Sequence, residues 1–190
     1  MEIKIKKLRI KSLFLIFLSF ALAVCEDRII YFAVLSSFLH EAGHLAAFLI
    51  FRVRIERITV NIFGIVIDFK EEYKISFFKE SMISFAGPAV NILLFFVFYR
   101  LDFQFAAVNF ALAFFNLLPI VKLDGGRVLR AVLNRILRKE TAGKICFFIS
   151  VLVAVPFLIL GIALTLFYKN ISLLITSFYF LVLLISYRGD

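Results

Sequence analysis

Leu39-His40-Glu41-Ala42-Gly43-His44-Leu45 holds the only two histidines of a 190-residue chain, four positions apart, with a glutamate directly after the first. On a helix, positions i and i+4 share a face, so both imidazoles can reach one metal ion. Glu41 is offset by about 100° and can reach a water beside that ion. The stretch lies near the middle of the apolar run from Ile29 to Phe51. Ionisable groups at the centre of a membrane span are costly, which marks them as functional candidates. Two histidines and a glutamate left in lipid without partners would cost on the order of several kcal/mol.

Working outward, the rest of the chain is equally apolar. Aliphatic, aromatic and cysteine residues make up 63% of it, and the mean hydropathy is +1.03. That composition indicates an integral membrane protein. The apolar runs are long and continuous, which favours helices over a barrel. The expected fold class is therefore an all-α polytopic membrane protein. About six spans are read: residues 12–25, 29–51, 82–98, 103–120, 145–168 and 171–187. The stretch before the first span carries Lys4, Lys6, Lys7, Arg9 and Lys11. A signal peptide cleaved near Ala21-Leu22-Ala23 is a minor alternative, because a second apolar run begins four residues later.

Between the second and third spans, Val53 to Phe69 is rich in β-branched residues, partly alternating, and broken by Asn61 and Gly64. It reads as a small membrane-associated β-hairpin. Pro119 lacks a donor and Gly125-Gly126 disfavour regular helix, so the fourth helix should break near its cytoplasmic end. Arg127 to Lys144 is basic, with Val128, Leu129, Val132, Leu133, Ile136 and Leu137 on one helical face, and should lie on the membrane surface. Six spans with a cytoplasmic N-terminus place nineteen Lys or Arg inside and three outside. This bias expects both termini in the cytoplasm. It also explains the net charge of +9 without nucleic acid. Residues 1–190 read as a single domain without internal repeat, and Cys25 and Cys146 are expected near opposite faces, too far apart to pair.

The pattern His-Glu-x-x-His is that of zinc hydrolases. A catalytic zinc takes three protein ligands and an open position. The third must be a carboxylate or cysteine at the depth of His44, about 10 Å from the cytoplasmic end of its helix. Glu26, Asp27, Asp68, Asp102, Asp124 and Cys146 are the candidates. Asp27 and Asp102 belong to outer turns, whereas Asp124 follows the broken fourth helix on the inner side. Asp124 is the expected third ligand; alone, it would read as a cap for the next helix. Gly87 and Pro88 alone could serve close helix packing, and Asn91 an interhelical hydrogen bond.

The motif His40-Glu41-x-x-His44 in a span, followed by Asn116-Leu117-Leu118-Pro119 and Leu123-Asp124-Gly125-Gly126, resembles the site-2 protease family of intramembrane zinc metalloproteases. Asn116, Pro119, Asp124 and Gly125 match its NxxPxxxxDG motif, and Gly87, Pro88 and Asn91 match its GPxxN element. The compact layout and Ile62-Phe63-Gly64 resemble the subgroup of stage IV sporulation metalloproteases, similar to stage IV sporulation protein FB. The resemblance implies a zinc metalloendopeptidase with ligands His40, His44 and Asp124 and Glu41 as general base. It places Asn116 on the substrate backbone or the developing oxyanion. Asn91, with Gly87 and Pro88, would position substrate. It further implies a membrane-associated protein substrate, such as a sporulation sigma-factor precursor, and membrane-protein inhibitors or regulators. No PDZ domain and no nucleotide-sensing CBS domain is expected within the chain.

Three other functions compete. A catalytically inactive zinc-binding scaffold has no need of Glu41. A metal or proton transporter would line its path with more ionisable groups than these spans carry. A membrane hydrolase of non-peptide substrates shares the same three ligands.

Overall fold

The computed structural model describes residues 2–5, 8–11, 27–53, 55–61, 64–69 and 76–187. The expected first span, 12–25, lies outside these residues, as does Cys25. Six helices occur among the described residues: α1 (Arg28–Ile50), α2 (Phe77–Phe98), α3 (Phe103–Leu117), α4 (Asp124–Ile136), α5 (Lys139–Tyr168) and α6 (Ser172–Ile185). Three of them, α1, α2 and α5, are long and apolar enough to cross a membrane, while α3 and α6 are shorter apolar helices. Their outward side chains are those of an integral membrane protein: Phe96, Phe167 and Ile185 are 71%, 80% and 83% exposed. Such surface is stable only in contact with lipid.

An all-α architecture does not account for the whole chain. Strands β1 (Glu2–Ile5), β2 (Leu8–Lys11), β3 (Ile55–Asn61) and β4 (Gly64–Phe69) form a four-stranded sheet in the order β1-β2-β3-β4. β3 and β4 pair antiparallel, with Thr59 opposite Val66 and a register shift between Ile55 and Arg57. β2 joins β3 in parallel, with Arg9 opposite Thr59. The basic N-terminal stretch was not read as strand, because its alternating lysines resemble the flank of a span as much as a strand pattern.

The chain divides into two compact units, residues 1–76 with 86–113 and residues 77–85 with 114–190. In the first, Arg28 and Asp102 pair at 3.0 Å. The Asp102 carboxylate also accepts the Phe105 N–H at 3.1 Å, which caps α3. Phe105 is buried and packs edge-on against Phe32 and Phe98.

The second unit is built on α5 and α6. Ile120, Val121, Leu123, Cys146, Ala154, Phe180, Leu183 and Leu184 form its buried core, with Phe115, Phe157 and Phe180 in mutual aromatic contact. Small residues let the helices approach: a Cβ on Gly161 would lie 2.9 Å from the Leu174 Cα. Two boundaries differ from expectation. The basic amphipathic helix ends at Ile136, and α5 begins at Lys139 rather than Ile145. Leu137 and Arg138 make the only break, since both have extended backbones there.

Gly161→Val should therefore destabilise the second unit by about 1–3 kcal/mol through overpacking. Thermal unfolding in detergent should show a lowered midpoint, whereas Ile159→Val on the exposed face should leave it nearly unchanged.

Candidate metal centre and its supports

His40 and His44 lie on α1, one turn apart, and are 5% and 8% exposed. Their Nε2 atoms are 3.1 Å apart, and the rings meet edge-to-face at 81°. Two nitrogens bound to one tetrahedral zinc at about 2.0–2.1 Å stand ~3.3 Å from each other. The pair thus has the spacing a shared zinc requires. Glu41 follows on the same turn and is half-buried.

What aims His40 is Asn91. His40 Nδ1 and Asn91 Oδ1 lie 2.5 Å apart, within hydrogen-bond distance. The Asn91 amide donates in turn to the Ser36 carbonyl at 3.2 Å and to Asn109 Oδ1 at 2.8 Å. Asn109 donates to the Phe105 carbonyl at 2.9 Å. Asn91, Asn109 and Ser36 are all fully buried.

Gly87 lies over the two rings. A Cβ there would stand 2.7 Å from His40 Nε2 and closer still to His44 Nε2. Gly43 does the same for the helices, since its Cβ would meet the Ala86 carbonyl oxygen at 2.8 Å. The GPxxN element is thus accounted for locally, and differently from the substrate role that the resemblance implied. Gly87, Pro88 and Asn91 are all buried. Gly87 makes room for the imidazoles, Pro88 sits inside α2, and Asn91 spends its amide on His40, Ser36 and Asn109. A fully buried amide with its donors and acceptor engaged offers no surface to a substrate.

In the second unit, α3 ends at Leu117 and α4 begins at Asp124, so the helix breaks around Pro119 as expected. Asp124, 7% exposed, opens α4, and the cap position before it is Leu123. Asp124 is therefore not that helix's cap. Asn116 lies in the last turn of α3 and is half-buried.

The loop carrying Asp124 is pinned from several sides. Ile120, Val121 and Leu123 are core residues. The Val121 N–H donates to Ser150 Oγ at 2.8 Å. That hydroxyl lies 2.6 Å from the Cys146 carbonyl and 3.1 Å from the Pro119 carbonyl, its two acceptors. Lys122 takes a left-handed backbone with φ of 74°. Its ammonium donates to the Ser186 carbonyl and hydroxyl, each at 2.8 Å, at the end of α6.

Gly125 and Gly126 do not interrupt the helix; both lie in the first turn of α4. A Cβ on Gly125 would collide with the Leu117 carbonyl and one on Gly126 with the Ile120 carbonyl. Their function is close approach to the backbone of the preceding loop, which no other residue permits.

Ser36, Asn109 and Ser150 were not singled out from the sequence. Asn109 carried a usable signal, an amide in the middle of an apolar span that needs a partner. Ser36 acts through its main chain, and Ser150 through a contact 29 residues away, so neither left a pattern.

Residues 100–158 match Peptidase family M50. A protein of Synechocystis sp. named as a zinc metalloprotease is 30% identical over 117 residues, 55% of this chain and 31% of that protein. Stage IV sporulation protein FB of Bacillus subtilis is 31% identical over 117 residues, 56% of this chain and 41% of that protein. The matches thus span about a third to two fifths of the length of these curated relatives. Among solved structures, the site-2 protease from Methanocaldococcus jannaschii superposes with a TM-score of 0.69 at 24% identity, covering 97% of this chain and 93% of that one. This chain has the site-2 protease fold. Within it, residues 100–158 carry Peptidase family M50 sequence, and the resemblance drawn from the motifs, including that to the sporulation protein, holds.

Two substitutions test the supports. Gly87→Ala should displace the imidazoles, and Gly125→Ala should displace the Asp124 loop, each weakening zinc binding at least tenfold. Chelator competition on detergent-purified protein measures this; Ala89→Gly is the control and should bind as the parent does.

Proposed function

We propose that this chain is an intramembrane zinc metalloprotease that hydrolyses a peptide bond in or near the membrane segment of a membrane-associated protein. The observation that carries the reading is the pair of Nε2 atoms 3.1 Å apart in a membrane helix, with Glu41 beside them. The donor set we assign is His40, His44 and Asp124, supported by the His-Glu-x-x-His pattern and by the match of Asp124 to the NxxPxxxxDG motif. Two imidazoles and a carboxylate form the mixed nitrogen and oxygen set of hydrolytic zinc, which leaves one position open.

Zinc held by these three residues supplies Lewis acidity toward the attacking water and the scissile carbonyl. Glu41 takes the proton of that water as its oxygen bonds the carbonyl carbon, then delivers it to the amine as the carbon–nitrogen bond breaks. Asn116 donates its side-chain amide to the developing oxyanion or to the substrate backbone.

A peptide bond in a helix is shielded by its own hydrogen bonds, so the substrate must be extended at the site. β4 is an edge strand of the sheet and is the element we assign to hold it, by strand addition. Proline substitutions along Gly64–Phe69 should reduce proteolysis and leave zinc content intact. Unchanged proteolysis would remove the sheet from the account.

Both termini are assigned to the cytoplasm, which the excess of Lys and Arg in the corresponding loops supports. The substrate class we favour is a membrane-tethered transcription-factor precursor such as a sporulation sigma factor, by analogy with the Bacillus subtilis relative named for sporulation. Membrane-protein regulators of the site are proposed on the same analogy.

Co-expression with such a precursor tests the reading. Cleavage by the parent should fall at least a thousandfold in Glu41→Gln while zinc stays bound. Cleavage that survives the substitution would refute the role of Glu41. Zinc binding without cleavage of any membrane-tethered precursor would favour a scaffold.

A further inference from the structure

We infer that Asn109 and Asn91 form a polarised amide relay that fixes the proton of His40 on Nδ1 and so keeps its Nε2 bare for the metal. The inference rests on the reading of His40 as a ligand, and it concerns two residues to which that reading gives no task at the metal.

The polarity follows from the ends of the chain of hydrogen bonds. The Phe105 carbonyl can only accept, so it takes the amide NH2 of Asn109 at 2.9 Å. Asn109 must then present its Oδ1 to Asn91, 2.8 Å away. The Ser36 carbonyl, also acceptor only, takes the second N–H of Asn91 at 3.2 Å. With both donors spent on acceptors, Asn91 must present Oδ1 to His40, and a carbonyl oxygen there requires Nδ1–H. Two main-chain carbonyls on different helices, α1 and α3, thereby dictate the tautomer of a side chain on α1. Reversing either amide would leave a fully buried donor facing a donor and an acceptor facing an acceptor. Burial is complete at Asn91 and Asn109, so water does not rescue the wrong orientation, and an unmade bond there costs about 1–3 kcal/mol.

A neutral imidazole in water divides between two tautomers. Only the one with a bare Nε2 serves the pair with His44. Histidine ligands in metal sites commonly donate their other nitrogen to a carboxylate or a carbonyl. Here an asparagine takes that place, which avoids burying a charged acceptor. A neutral acceptor has a cost, because an amide can turn over; Asn109 is what prevents it.

The chain's two histidines make the test direct. Protein labelled with 15N-histidine, prepared metal-free in detergent at roughly pH 9, where free imidazole is neutral, yields two sets of ring nitrogens, and His44→Gln assigns them. The parent should show His40 as the Nδ1–H form. Asn91→Leu and Asn109→Leu should shift it to a mixture and weaken zinc binding about 10–100-fold in chelator competition. Asn91→Asp keeps an acceptor toward Nδ1, and should keep the tautomer and most of the zinc affinity although it buries a charge. A merely structural asparagine would give the opposite order, with Asp worse than Leu and the tautomer unmoved. An unchanged tautomer in both leucine variants would overturn the relay. The reading of the metal site fails separately, if the parent binds no zinc while the labelled spectrum still shows Nδ1–H at His40.

Discussion

A buried imidazole is useful to a metal only if something decides which of its nitrogens holds the proton. In this chain that decision is the hydrogen bond from His40 Nδ1 to Asn91 Oδ1, and much of the first unit is arranged around it. α1 supplies the two histidines one turn apart, and α2 supplies Asn91 and the glycine that accommodates both rings. α3 supplies Asn109, the far end of the support. Gly43 and Gly87 bring α1 and α2 to a distance at which such short side chains can meet. In lipid, a mispaired amide or imidazole has no water to fall back on, so the network is complete or the helices do not pack.

The second unit solves a different problem, which is to hold a carboxylate at the end of a broken helix. Breaking a helix in an apolar setting frees backbone groups that must be satisfied. Ser150 takes the Val121 N–H, and Lys122 reaches the final turn of α6. Buried Ile120, Val121 and Leu123 hold the loop by their apolar side chains, and the glycine pair lets α4 start directly against the loop's backbone. Asp124 therefore projects from a rigid mount rather than a mobile loop. A carboxylate mounted in this way would lose little entropy in taking up a metal.

Much of this was legible in the sequence, and the failures have physical causes. Histidines, glutamate and aspartate in apolar segments are expensive and stand out, which is why the sequence singles out His40, Glu41, His44 and Asp124 as candidates. The helix break at Pro119 was readable because proline has no donor. Gly125 and Gly126 were read as helix breakers, yet they are helical and serve close contact; sequence alone does not separate conformational freedom from the absence of a Cβ. Asn91 was assigned to substrate because a motif records identity and not direction. Its burial and its partners on α1 and α3 belong to tertiary structure. Strands β1 and β2 were missed because β2 is defined by pairing with β3, some 50 residues away, and β1 by pairing with β2. Lysine-rich stretches otherwise read as membrane flanks.

On the reading proposed above, His40, His44 and Asp124 share one zinc ion. X-ray absorption at the zinc edge of the purified protein, compared with Asp124→Ala, tests it most directly. The account predicts about one zinc per chain with four nitrogen or oxygen neighbours near 2.0–2.1 Å, the outer-shell scattering of two imidazoles, and a loss of one oxygen neighbour in the variant. A six-oxygen shell, a sulfur neighbour, or a parent spectrum that Asp124→Ala leaves unchanged would contradict it.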